Sequence, residues 1–181
     1  MQLIILDRDG VINEDSDDYI KSPEEYIPIP GSLEAIARLK QAGYTVVVAS
    51  NQSGIGRGYF DVDTLNAMHD KLKRLLAEVQ GRVDGIFYCP HTPEDHCDCR
   101  KPAPGLYHQI SQQFHVDLTG VPVIGDSLRD IESARAVGAQ PVLVRTGKGM
   151  RTLAAGEGLD GVPVYNDLAS AVDAIVKSES K

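Results

Sequence analysis

Two aspartates stand two positions apart near the start of the chain, Asp7 and Asp9 in "LDRDG", directly after a short apolar run. Carboxylates that close repel each other unless a cation or a shared proton intervenes. Three more polar stretches follow: Ser50 and Asn51 in "ASNQSG", Arg100 and Lys101 in "CRKP", and Asp126 with Asp130 in "GDSLRD". Taken singly, each has a plain structural reading. Asp-Gly pairs make turns, and Asp126 or Ser127 suits the N-cap of a helix. Taken together, they supply what phosphoryl transfer requires. Carboxylates can hold Mg²⁺, a hydroxyl, an amide and a lysine can hold phosphate oxygens, and one carboxylate can attack in line.

A different chemistry sits in "CPHTPEDHCDCRKP", which contains all three cysteines of the chain. Cys89, His91, Cys97 and Cys99 form a Cys₃His set that suits tetrahedral Zn²⁺ and leaves no open coordination position, so a structural ion is expected rather than a catalytic one. His96 is a rival ligand to His91, and a reduced loop that merely contains cysteines is the plainer alternative. Arg100 and Lys101 follow the last cysteine at once, so a zinc staple would fix the backbone that aims them.

These residues need elements to position them. Apolar or β-branched runs at 3–6, 45–50, 83–89, 121–126, 141–145 and 162–166 read as strands. Segments 31–43, 61–81, 104–116, 127–138 and 167–178 carry helical spacing between Gly, Pro, Asp or Ser boundaries. The alternation implies an α/β fold with a doubly wound parallel sheet covered by helices on both faces. In such sheets ligands gather at the carboxyl ends of the strands, and those ends carry Asp7, Asp9, Ser50, Asn51, Lys101 and Asp126. We expect one domain over residues 1–181, with the zinc-binding loop 89–99 between the third strand and the next helix and a frayed tail at 177–181. "GIGRG" (54–58) lacks the third glycine and the helix of a dinucleotide fingerprint, so it reads as a flexible loop. His69 and His108 are expected at surface or interface positions of helices, and His115 at a helix C-terminus.

A chain of 181 residues suits one domain, and 42% hydrophobic with 24% charged residues is ordinary for a globular protein. The net charge of -8 argues against general nucleic-acid binding, and no apolar run is long enough for a membrane span. With no basic, apolar leader at the N-terminus, a cytoplasmic location is expected. A monomer is the default for so short a chain.

The four stretches resemble, in order, the motifs of the haloacid dehalogenase (HAD) superfamily of phosphatases: "LDRDG" its DxD motif, "ASN" its Ser/Thr motif, "RKP" its lysine motif and "GDSLRD" its acidic fourth motif. The resemblance spans about residues 2 to 145, and its nearest branch contains small phosphosugar and histidinol-phosphate phosphatases. It implies an Mg²⁺-dependent phosphatase with a structural Zn²⁺. Asp7 would be the nucleophile and Asp9 the general acid and base. Asp7, Asp126 and the backbone carbonyl of Asp9 would hold Mg²⁺. Ser50, Asn51 and Lys101 would hold the transferring phosphoryl group, with Asp130 in support behind Lys101. Arg57 and Arg100 are candidates for the rest of a phosphorylated sugar, including a phosphate that is not cleaved. Little chain separates the motifs, so a capless enzyme is expected, with loops 13–28 and 51–60 supplying specificity.

Two readings of other classes compete. A phosphoacceptor signalling module would need an Asp at the end of the third strand, where this chain has "FYC". A non-catalytic, zinc-stabilised phosphate-binding module would not need the full set of Asp7, Asp9, Lys101 and Asp126.

Overall fold

The computed structural model describes residues 1–179. At its centre lies β1 (Gln2–Leu6), paired in parallel with β2 (Tyr44–Asn51) on one side and β4 (Pro122–Gly125) on the other. β3 (Gly85–Cys89) extends the sheet beyond β2, and β5 (Gln140–Val144) with the short β6 (Val164–Tyr165) extends it beyond β4. The order is β3-β2-β1-β4-β5-β6, every pairing parallel. The strand order reverses between β1 and β4, which opens a crevice at their carboxyl ends.

Alternation along the strands assigns the two faces. Ile4 and Leu6 of β1, with Val46 and Val48 of β2, face a layer made by α1 (Ser32–Gln41), α2 (Val62–Glu78) and α6 (Leu168–Glu179). Leu3 and Ile5, with Val47 and Ala49, face α3 (Gly105–Phe114) and α4 (Leu128–Ala136). Both faces are apolar because both are covered, as a parallel sheet demands. Ile4, Ile5, Leu6, Val46, Val47 and Val48 have essentially no exposure, and burying each such side chain is worth about 1.5–3 kcal/mol.

Observed elements match those read from the sequence within one to three residues at most ends. One helix was not foreseen: α5 (Gly149–Ala155), seven residues within the glycine-rich "GKGMRTLAAGEG". Short length and flanking glycines hide a helix from periodicity. Between β1 and α1 the described residues contain a 3-10 turn at Pro23–Glu25 and two isolated β-bridges, and between β3 and α3 a 3-10 turn at Pro93–Asp95, so neither segment forms a cap domain over the carboxyl ends. Of the tail expected to fray, residues 177–179 close α6, and 180–181 lie outside the described residues.

One expectation needs correction. His69 is not at the surface: it is 6% exposed, on the inner side of α2 against Arg8. The "GIGRG" loop exposes Gly56, Arg57 and Gly58 and is tethered at its base to the segment after β3. The Gln52 N–H donates to the Cys89 carbonyl at 2.7 Å and the Gly56 N–H to the Pro90 carbonyl at 3.0 Å. A Cβ on Gly56 would stand 2.7 Å from that same carbonyl oxygen, so the glycine is needed for close approach. His108 is exposed, as expected. His115 closes α3 through its backbone, its N–H donating to the Ser111 carbonyl.

Candidate active site

Each strand end contributes to one crevice. Asp7 follows β1, and Asp126 follows β4, their strands hydrogen-bonded side by side. Asp130 lies in the first turn of α4, and its Oδ2 accepts from the main-chain N–H of Asp126 at 3.1 Å and of Ser127 at 3.2 Å. Ser127 is the N-cap residue of α4, so the turn that caps the helix also fixes the orientation of Asp126. Ligand oxygens of Asp7, Asp126 and Asp130 all lie within 4.8 Å of one another.

Lys101 enters this group from the end of the cysteine loop. Its Nζ lies 2.7 Å from Asp130 Oδ1 and 3.3 Å from Asp7 Oδ1, and its side chain is 3% exposed. Despite burial, the two carboxylates hold its pKa above the usual lysine range. Asp130 is held below the usual range: burial works against ionisation, and Lys101 outweighs it. Burial, then the field of Asp130, pushes Asp7 well above its ordinary value. The same causes raise Asp126 to about 7. One buried ammonium is therefore too little charge for three carboxylates, and the crevice has affinity for a further cation. The donors are hard oxygens, which suits Mg²⁺.

The Asp126 carboxylate rests in a glycine cradle that the motifs did not reveal. A Cβ on Gly10 would stand 2.0 Å from Asp126 Oδ2, and one on Gly147 2.4 Å from it, and both glycines have positive φ. The Lys148 N–H donates to the same oxygen at 2.9 Å. Lys148 Nζ reaches Asp15 at 2.7 Å, tying the loop after β1 to the segment before α5. A lone "TGKG" offers little to a sequence reading, because its partner is a carboxylate twenty residues earlier.

Asp9 is not part of the three-carboxylate group. Its side chain accepts from Arg8, Asn13 and Gln52 and reaches the cavity with 23% exposure. Ser50 is buried, its Oγ accepting from Gln52 Nε2 at 2.7 Å. Asn51 does something the sequence did not suggest. Its amide accepts from the Lys101 N–H at 3.0 Å and donates to the Lys101 carbonyl at 3.2 Å. The side chain expected to grip phosphate thus also clamps the backbone that carries the lysine.

The cavity bounded by these residues has a volume of about 240 Å³. Asp15, Tyr19, Arg100, Arg129 and Lys148 stand around it. Burial, then the nearby charge of Arg129 and Arg57, lowers the pKa of Arg100, the sign of a cationic rim. Arg57 itself is turned over the Tyr19 ring, 5.7 Å from its centroid, and is exposed.

Cys89, His91, Cys97 and Cys99 come together beside this crevice, with His96 outside the group. The cysteines are not disulfide-bonded. Their sulfurs are 3.6 and 3.7 Å apart, and His91 Nδ1 is 3.5 to 3.6 Å from Cys99 and Cys89. Zn–S bonds of about 2.3 Å and a Zn–N bond of about 2.0 Å give a tetrahedron with S–S edges of about 3.8 Å and S–N edges of about 3.5 Å. The cluster could hold Zn²⁺ with little rearrangement.

A Rossmann-like parallel sheet with these acids and a buried lysine at its carboxyl edge defines a HAD-like phosphatase. The HAD-hydrolase-like family model matches residues 98–171, and that for polynucleotide kinase 3 phosphatase matches residues 2–128. The D-glycero-beta-D-manno-heptose-1,7-bisphosphate 7-phosphatase of Bordetella bronchiseptica is 56% identical over 177 residues, 98% of this chain and 99% of its own. That of Pseudomonas aeruginosa is 59% identical over 176 residues, 97% and 98% of the two chains. A crystal structure of the B. bronchiseptica D,D-heptose 1,7-bisphosphate phosphatase, complexed with magnesium and phosphate, superposes with a TM-score of 0.96 at 56% identity, covering 98% of this chain and 99% of that one. The chain belongs to the D-glycero-beta-D-manno-heptose-1,7-bisphosphate 7-phosphatase family.

Proposed function

We propose that this protein removes the C7 phosphate from D-glycero-D-manno-heptose 1,7-bisphosphate, leaving heptose 1-phosphate. Full-length similarity to the relatives above carries this reading. The activity fits nucleotide-activated heptose and lipopolysaccharide core synthesis, and we read the enzyme as a cytoplasmic monomer. No helix among the described residues is long and apolar enough to cross a membrane.

In this reading Asp7 attacks phosphorus and forms an aspartyl-phosphate as the bond to the sugar oxygen breaks. Asp9 gives its proton to that leaving oxygen, then takes one from the water that hydrolyses the intermediate. Asp7, Asp126 and the backbone carbonyl of Asp9 would hold Mg²⁺, which when bound supplies positive charge against the phosphoryl oxygens. Ser50, Asn51 and Lys101 bind the transferring group. Asp130 keeps Lys101 charged and aimed, in keeping with their 2.7 Å contact. Cys89, His91, Cys97 and Cys99 hold structural Zn²⁺.

Histidinol phosphate is the competing substrate. Its amine and imidazole would meet the rim of Arg100 and Arg129 unfavourably, whereas a second phosphate would relieve their mutual repulsion. A panel of sugar bisphosphates and histidinol phosphate, ranked by kcat/KM, tests the choice. The heptose bisphosphate is expected to lead, and a tenfold lead for histidinol phosphate would overturn the assignment.

A further inference from the structure

Arg8 is the largest side chain in the core with no exposure at all. It lies between the two acids of the DxD stretch and points away from the crevice. Its Nε and Nη2 both reach Asp9 Oδ1 at 2.8 Å. Nη2 also donates to Gln52 Oε1 at 3.3 Å, and Nη1 faces His69 Nε2 at 3.3 Å and Met68 Sδ at 3.7 Å. The Tyr26 ring supports the guanidinium, 5.4 Å from its centroid. A guanidinium only donates, so His69 Nε2 must offer a lone pair. The ring is therefore neutral with its proton on Nδ1, and burial accordingly pushes His69 down to about 4.

The Gln52 amide is likewise fully used. Its oxygen accepts from Arg8, while its nitrogen donates to Asp9 Oδ2 at 3.2 Å and to Ser50 Oγ at 2.7 Å. Chemistry fixes this orientation, because the guanidinium cannot accept and the carboxylate cannot donate when ionised. The result is an unequal carboxylate. Asp9 Oδ1 accepts from Arg8 Nε at 2.8 Å and from Asn13 Nδ2 at 2.9 Å, and it also pairs with the Arg8 Nη2 charge at 2.8 Å. Asp9 Oδ2 carries one longer bond.

We propose that Arg8, Gln52 and His69 are positioning residues that lock Asp9 Oδ1 and turn Oδ2 toward the leaving oxygen, with α2 anchoring the arrangement through His69. The inference rests on the reading of Asp9 as general acid and base. Oδ2 delivers its proton to the sugar oxygen while the P–O bond breaks and the Asp7 Oδ–P bond forms. Later Oδ2 takes the proton of the attacking water as phosphate leaves. Gln52 also touches Ser50, so the acid and the phosphoryl-binding hydroxyl keep a fixed separation.

The leaving group separates positioning from mere folding. A sugar alkoxide needs the proton, and p-nitrophenolate scarcely does. Since kcat/KM reports on steps up to alcohol release, water attack does not enter it. His69→Leu and Gln52→Ala should lower kcat/KM on the heptose bisphosphate at least tenfold more than on p-nitrophenyl phosphate. His69→Gln, which restores an acceptor for Arg8, should narrow that split. Equal losses on both substrates would overturn the proposal. Asp9→Asn in the same panel tests the underlying reading: if it lacks the split, the general-acid assignment itself falls. If Asp9→Asn shows the split and the other variants do not, only the positioning role falls. Should one of the two variants fold poorly by circular dichroism, the other carries the comparison.

Discussion

At the scale of single residues the site is a charge balance around Lys101. Asp130 faces it at 2.7 Å with 4% side-chain exposure, and Asp7 at 3.3 Å. Removing one partner of a buried ion pair leaves an uncompensated charge and costs roughly 3–5 kcal/mol. Asp130→Ala should therefore lower the unfolding free energy by about that amount in urea titrations, and cut kcat as Lys101 loses its aim. Asp7→Asn should fold normally yet release phosphate from aryl phosphates at least a thousandfold more slowly, and equal release by both proteins would refute the nucleophile assignment. Part of this was legible from residue types: Asp7, Asp126 and Lys101 meet as their strand-end positions imply, with Asp130 behind Lys101, whereas Asp9 stands outside the carboxylate group. The Asn51 clamp was not, because a side chain that binds backbone leaves no trace in its partner's identity.

At the scale of elements, two short segments hold the acids and the lysine in place. The cysteine loop ends against Lys101, and its other end is the last residue of β3. Stripping Zn²⁺ with a chelator, or Cys99→Ser, should lower turnover while the Mg²⁺ requirement stays unchanged. Full turnover in a metal-free loop, with zinc content measured by atomic absorption, would show the loop and the lysine to be independent. The second segment is the Gly147–Lys148 turn against Asp126. Gly147→Ala strains a backbone at φ 57° and drives a methyl group toward the carboxylate. It should weaken Mg²⁺ at least tenfold, read as the metal concentration giving half-maximal rate. The helix after this turn escaped sequence analysis, as did the cradle. The helix is short and flanked by glycines, and the cradle joins segments over a hundred residues apart, Gly10 and Gly147, which no local pattern records.

For the whole molecule, the alternation of strands and helices specified the sheet, since residues apolar on both sides can only be buried on both sides. His69 makes one acid-sensitive contribution to stability, beside that of Asp130. His69 is held near 4 in the fold against an ordinary value of 6.5. Above 6.5 it is neutral in both states and adds no pH dependence. Between 6.5 and 4 the unfolded chain binds a proton that the folded one refuses, so stability falls as pH falls, by about 1.4 kcal/mol per unit at most and on the order of 3 kcal/mol in all. Between pH 7 and 5, urea unfolding of Mg²⁺-saturated protein should lose stability more steeply with acid in the wild type than in His69→Gln, the difference isolating His69 from Asp126, whose raised pKa acts with the opposite sign. Parallel slopes for the two proteins would mean that His69 does not carry it.

The crevice lies between β1 and β4, strands adjacent in the sheet and distant in the chain. Asp126 leaves the ribosome more than a hundred residues after Asp7. At about 5–20 residues per second, a nascent chain spends several seconds or longer with its nucleophile exposed and without its partner acids. Until then the chain lacks Asp126 and Asp130, so the three-carboxylate group that would hold Mg²⁺ and aim Lys101 is incomplete. Competence needs β4 beside β1 and the Gly147–Lys148 turn against Asp126, so the onset of turnover reports that the sheet has closed from both halves of the chain.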